Sequence, residues 1–134
     1  MFLNWDENYS VNVKELDDQH KIWIGLINNL YDAIKVGKGN QAIDIIIDEV
    51  IRYTEYHFEF EEKLLSKYGY PEEPNHKKTH DDFALHVRDI KKILDSGGLV
   101  QSNTLLEQMK NWLINHIVKS DKQYSDFLNS KGVY

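Results

Sequence analysis

A chain of 134 residues is the size of one domain, able to bury roughly two-thirds of the surface that its unfolded form exposes. The absence of cysteine excludes thiolate nucleophiles, disulfides, iron–sulfur clusters and thiolate-bound zinc, so any metal must be held by nitrogen and oxygen. Sixteen basic residues stand against 22 acidic ones, for a formal charge of −6, and no basic stripe with interleaved aromatics runs along the chain, which argues against nucleic-acid binding.

Residues 1–16 carry Phe2, Leu3, Trp5, Tyr9, Val11 and Val13 without a helical period. So many large apolar groups predict an ordered arm packed across the body of the protein and covering one end of it. Asp6 and Glu7 sit where a signal peptide would be basic, and no stretch approaches the roughly 20 apolar residues of a membrane span. A soluble, cytoplasmic protein that does not enter the membrane is the expectation.

From Asp17, a predicted N-cap, the pattern becomes helical. Leu16, His20, Trp23, Ile27, Leu30 and Ile34 recur at alternating spacings of four and three, and Gly37-Lys38-Gly39-Asn40 closes the helix. A second helix, residues 40–67, continues the rule through Ile43, Ile47, Val50, Thr54, His57, Glu61 and Leu64. A carboxylate on such an apolar seam is costly unless a cation compensates it. Glu55, Glu59 and Glu62 are assigned to a solvated face. Tyr68-Gly69-Tyr70-Pro71-Glu72-Glu73-Pro74 then predicts a reversal of direction. The third helix has the seam His76, His80, Phe83, Val87, Ile90 and Leu94 and ends at Ser96-Gly97-Gly98, with His86 on its flank.

The fourth helix starts near Ser102-Asn103 and follows the rule through Leu105, Met109, Trp112 and His116. There the pattern slips by one residue, because the next inward candidates are Asp121, Tyr124 and Leu128. Five residues on an α-helix is about 140° of rotation, so a π-type bulge is predicted between His116 and Asp121. Residues 130–134 are expected to fray. The fold class is therefore all-α: an up-down-up-down four-helix bundle over residues 17–131 with an N-terminal arm, in a single domain spanning 1–134.

Counting outward from each turn at about 1.5 Å per residue puts His20, His57, Glu61, His76, His80, His116 and Asp121 in one slice of this bundle. A lone histidine on a seam is more often a hydrogen-bonded core residue than a ligand. Five inward imidazoles and two inward carboxylates at one level, in a chain with six histidines, are another matter. His57 with Glu61, and His76 with His80, are four residues apart and so share a helix face, as chelating pairs do. Imidazole and carboxylate without thiolate suit iron, manganese, copper or zinc. Seven donors exceed the needs of one ion. Two irons bridged by both carboxylates and one solvent oxygen would leave six terminal places for five imidazoles, so one iron keeps an open place.

The chain strongly resembles the hemerythrin family through Trp5 and Tyr9, Asp17-x-Gln19-His20, His57-x-x-x-Glu61-Glu62, Tyr70-Pro71, His76-x-x-x-His80, and Trp112-Leu113-x-Asn115-His116-x-x-x-x-Asp121-x-x-Tyr124. The resemblance covers nearly the whole chain. It implies an oxo- or hydroxo-bridged di-iron centre, with His76, His80 and His116 on the saturated iron, His20 and His57 on the open one, and Glu61 and Asp121 bridging. It also implies reversible end-on binding of O2 at the open iron, with a non-enzymatic role in storage, delivery or scavenging. Trp23, Ile27, Phe58, Trp112 and Leu113 neighbour these positions and are expected to line an apolar O2 pocket as well as to pack the core. A di-iron enzyme (ferroxidase, or peroxide or nitric oxide reduction) and an oxygen-sensing module are the competing functions. The surface pattern predicts a monomer, and the role leaves room for a redox or delivery partner.

Overall fold

The computed structural model describes residues 2–134, so Met1 of the predicted arm lies outside the described residues. Helices α1 (Lys14–Lys35), α2 (Gly39–Tyr68) and α3 (Glu73–Asp95) precede a composite fourth helix. The latter consists of α4 (Ser102–Trp112), a π-helical stretch (Leu113–Ser120), a 3-10 turn (Asp121–Tyr124) and α5 (Ser125–Ser130). Among the described residues there is no strand. The four-helix bundle expected from the periodicity is the architecture found, and none of its helices is long and apolar enough to cross a membrane.

Burial of the seams explains why these segments are helical: Leu16, His20, Trp23, Ile27 and Leu30 of α1 are all fully buried, and Ile43, Ile47, Val50, Thr54, His57, Glu61 and Leu65 line the inner face of α2. Two glycines set the turns. Gly69 ends α2 at φ 74°, a left-handed conformation, and its N–H closes on the Leu65 and Ser66 carbonyls. Gly39 starts α2 where a Cβ would meet Ser102 Oγ at 2.5 Å, so the α1–α2 turn can touch the start of α4 only without a side chain there.

The interior is layered along the bundle. A large apolar cluster contains Trp23, Ile27, Ile47, Val50, Val87, Leu105, Met109, Leu113 and Ile117. A smaller one contains Val11, Val13, Leu16, Leu65, Tyr124 and Leu128. On α1, on α2 and on the composite helix, the buried histidines and acids fall between residues of the two clusters. The polar layer is thus sealed from both sides.

The arm is ordered, as expected, but its course differs. It runs antiparallel beside α1 over much of that helix: Phe2 stacks on Tyr31 at 4.1 Å, and Leu3 exchanges two 2.8 Å hydrogen bonds with Asn28. At its other end the Val11 N–H and the Ser10 hydroxyl donate to Asp17. Asp17 is therefore not the N-cap. The helix begins at Lys14 after Val13, and the Asp17 carboxylate in its first turn clamps the arm instead. The C-terminal residues also differ from the fraying expected. The Val133 N–H donates to the Leu128 carbonyl at 3.0 Å and Asn129 Nδ2 donates to the Val133 carbonyl at 2.7 Å, a closed helix end with only Tyr134 fully outside it.

Candidate metal centre

Every helix of the bundle contributes to the polar layer. His20 comes from α1, His57 and Glu61 from α2, His76 and His80 from α3, and His116 and Asp121 from the composite helix. All seven are buried, His76 being the most exposed at 7%. The slip in the fourth helix takes the predicted form: the Asp121 N–H donates to the His116 carbonyl, five residues back, inside a π-helical stretch. That extra residue per turn is what lets both side chains point inward.

The five imidazoles all direct Nε2 at the two carboxylates. His20 Nε2 is 3.1 Å from Asp121 Oδ2, His57 Nε2 is 3.2 Å from Glu61 Oε2, His80 Nε2 is 3.1 Å from Glu61 Oε1, and His116 Nε2 is 3.0 Å from Asp121 Oδ1. His76 Nε2 contacts Glu61 Oε1 and lies 3.2 Å from Asp121 Oδ1. Several of these contacts lack hydrogen-bond geometry: both ring nitrogens of His20 and both oxygens of Asp121 are buried without a partner. Donor atoms aimed at a common point, rather than at each other, produce that pattern.

The tautomers sharpen the point. His57 Nδ1 meets the Gln19 amide oxygen at 2.5 Å, and His80 Nδ1 meets Glu62 Oε2 at 2.8 Å. Both partners are acceptors, so each Nδ1 carries the proton and a neutral ring turns its Nε2 lone pair inward. Lone pairs facing carboxylate oxygens repel unless something positive lies between them. Two groups of donor atoms, each within 4.8 Å of one another, meet that condition: Glu61, His76, His80, His116 and Asp121, and His20, His57, Glu61 and Asp121. The residues present fit a metal site of nitrogen and oxygen donors.

Without a cation, protons take its place. Burial pushes the Glu61 carboxyl up, but the imidazoles of His57, His76 and His80 outweigh this and hold it well below the usual carboxylate range. Asp121 is likewise depressed, since His116 and His20 overcome burial and the nearby Glu61 charge. His76 is raised to about 10, its contacts with Asp121 and Glu61 overriding burial. His57 moves the other way because burial dominates there.

Around the layer lie the residues expected to line a pocket. Phe58 stacks on His80 at 3.9 Å and Trp112 stacks on His116 at 4.0 Å, while Trp23, Ile27 and Leu113 are buried beside them. Two residues were missed by reasoning from the sequence. Glu62, assigned to the solvated face, holds His80 Nδ1, whereas Glu55 and Glu59 do pair at the surface with Arg88 and Lys63. Gln19 performs the matching task for His57. The adjacency of Glu62 to the seam acid Glu61, and of Gln19 to His20, was the available signal. Tyr124, an inward candidate of the fourth helix, donates its hydroxyl to Glu61 Oε2 at 2.9 Å.

Helices that each place imidazole or carboxylate donors in one buried layer define a cation-binding four-helix bundle protein. The family model described as "Hemerythrin HHE cation binding domain" matches residues 11–128, and the chain belongs to the hemerythrin family. It is 36% identical to a bacteriohemerythrin of Pseudomonas aeruginosa over 124 residues, covering 92% of this chain and 80% of that protein. It is 33% identical to a hemerythrin-like protein of Naegleria gruberi over 126 residues, covering 94% and 93%. A crystal structure of wild-type hemerythrin superposes with a TM-score of 0.84 at 32% identity, covering 94% of this chain and 97% of that one.

Proposed function

We propose that the chain, acting as one domain over residues 1–134, holds two iron ions through His20, His57, Glu61, His76, His80, His116 and Asp121 and binds dioxygen reversibly without turning it over. Its main support is the unequal division of the donors. One group has three imidazoles and the other two, with both carboxylates common to the two groups. If each ion takes about six donors, one of them a solvent oxygen shared by the pair, the His76–His80–His116 ion would be filled and the His20–His57 ion would have a place to spare. The names of its relatives point the same way.

Two irons so held would supply the electrons and the open coordination place that dioxygen requires. The protein's own residues do the rest. Glu61 and Asp121 span the two positions, and Tyr124 fixes the orientation of Glu61 through its hydroxyl. Burial, with the charges of Asp121 and Glu61, keeps that hydroxyl protonated. Gln19 and Glu62 hold the tautomers of His57 and His80. Trp23, Ile27, Phe58, Trp112 and Leu113 exclude water, and with it the protons that would make ligand loss irreversible. A donor set rich in neutral imidazole favours binding over bond cleavage, which more electron-rich carboxylate sets support.

The test is an absorption spectrum of the iron-loaded, reduced protein before air, after air and after removal of oxygen. Two irons per chain and a band that appears with air and disappears on deoxygenation are expected. Immediate, irreversible conversion with turnover would assign an enzyme instead.

A further inference from the structure

Tyr53 stands on α2 one turn before His57, and the antiparallel α1 brings Trp23 to the same level. Its ring stacks on that of His57 at 5.1 Å with 17° between the planes, and lies 5.2 Å from Trp23. The residue is 6% exposed, and its hydroxyl is buried with no hydrogen-bond partner. A phenol hydroxyl withdrawn from water and left unpaired lowers stability, and Phe at this position would pack the same ring without that cost. The neighbouring indole and the second buried phenol are engaged: the Trp23 indole N–H donates to the Met109 carbonyl at 3.2 Å, and the Tyr124 hydroxyl donates to Glu61. Among the described residues, Tyr53 carries the one buried hydroxyl without a partner. It lies beside the two-imidazole half of the centre.

A phenol hydroxyl is both a donor and an acceptor, so this group can donate to a ligand beside it. A lone donor held beside the half with a place to spare has a use only when that place is filled.

We propose that Tyr53 is a positioning residue whose hydroxyl donates a hydrogen bond to the small ligand taken up at the His20–His57 half. It thereby favours ligands that accept a hydrogen bond, such as small anions, over apolar ones of the same size. This rests on the two-ion reading above. The hydroxyl is retained because a bound ligand needs it.

The experiment titrates azide into the oxidised, iron-loaded protein and its Tyr53→Phe variant, following the azide-dependent absorption band and the azide infrared stretch. Melting of the two metal-free proteins is compared in parallel. In the variant the azide Kd is expected to rise about tenfold, as for loss of a hydrogen bond to a charged group. The infrared stretch should shift, and the metal-free variant should melt no lower than the native protein. Equal Kd values with an unshifted stretch overturn the proposal. So does a lower melting temperature for the metal-free variant, which would mean that the hydroxyl is bonded within the protein. If the native protein itself shows no saturable azide band, the two-ion reading fails, and the role of Tyr53 falls with it.

Discussion

In the half of the polar layer formed by His76, His80 and His116, Phe58 lies flat on the His80 ring and Trp112 on the His116 ring, and a carboxylate, Glu62, holds His80 Nδ1. In the half formed by His20 and His57, Tyr53 lies flat on the His57 ring, but the corresponding anchor is the neutral amide of Gln19, and the Tyr53 hydroxyl has no partner. A charged acceptor on Nδ1 makes an imidazole a stronger donor at Nε2 than a neutral one does. On the two-ion reading, the first half would be the one that keeps its ion. The second has fewer donors, weaker support and a spare hydrogen bond, which suits a position whose occupant comes and goes.

The largest effect should come from breaking what the halves share. Asp121→Ala removes a donor common to both groups and is expected to abolish loading of both ions, measured as metal per chain. Loss of one ion alone would show that Asp121 serves one half. Next, Glu62→Gln should lower metal retention about 10–100-fold in competition with a chelator, and Gln19→Leu by less, about tenfold. The reverse order would erase the proposed contrast between the halves.

Leu113→Ala is expected to accelerate autoxidation several-fold while costing about 2–5 kcal/mol of stability, as a buried Leu→Ala change does. Trp23→Ala should accelerate it too, and unchanged rates in both would refute the role of the apolar wall.

The smallest effect concerns the metal-free protein, in a pH profile of its melting temperature. His76 is raised from 6.5 to about 10, so its stabilising contribution is complete below pH 6.5 and is lost as the pH rises through about 10. Glu61 and Asp121 are depressed from 4.5 and 3.8, so theirs is complete above pH 4.5 and is lost as the pH falls through their depressed values. His57 is lowered, so protonating it costs stability as the pH falls below 6.5, and the metal-free protein should melt highest near about pH 6.5. Metal loading at about pH 8 should release the His76 proton, detectable with an indicator dye. A flat profile would mean that the acids and imidazoles of the layer do not compensate one another.

The seams made the bundle legible, because four–three spacing records which face of each helix is buried. The level of the histidines was legible too, since antiparallel helices with short turns convert residue counts into heights. Even the π-helical stretch could be foreseen from the conflict between His116 and Asp121. Glu62 could not. It flanks the seam, and whether such a residue meets water or an imidazole depends on what α3 presents opposite it. Asp17 was misread for a related reason: its position suits a cap, but its carboxylate is taken by the arm, a segment with no period of its own. The order in residues 130–133 depends on Val133 and Asn129 closing back on Leu128, which a terminal position does not reveal.

The π-helical stretch has a further effect on the fold. One additional residue turns everything beyond it by about 100°. Before it, Leu105, Met109 and Trp112 are phased toward the large apolar cluster; after it, Tyr124 and Leu128 are phased toward the small one, and Ser125 reaches the arm at Val11. The stretch is a phase shifter between two otherwise independent registers. A change of amino acid there acts on the contacts of one side chain, whereas a change of length would detune the polar layer and the end closure together. In this segment the number of residues carries more structural information than most of their identities.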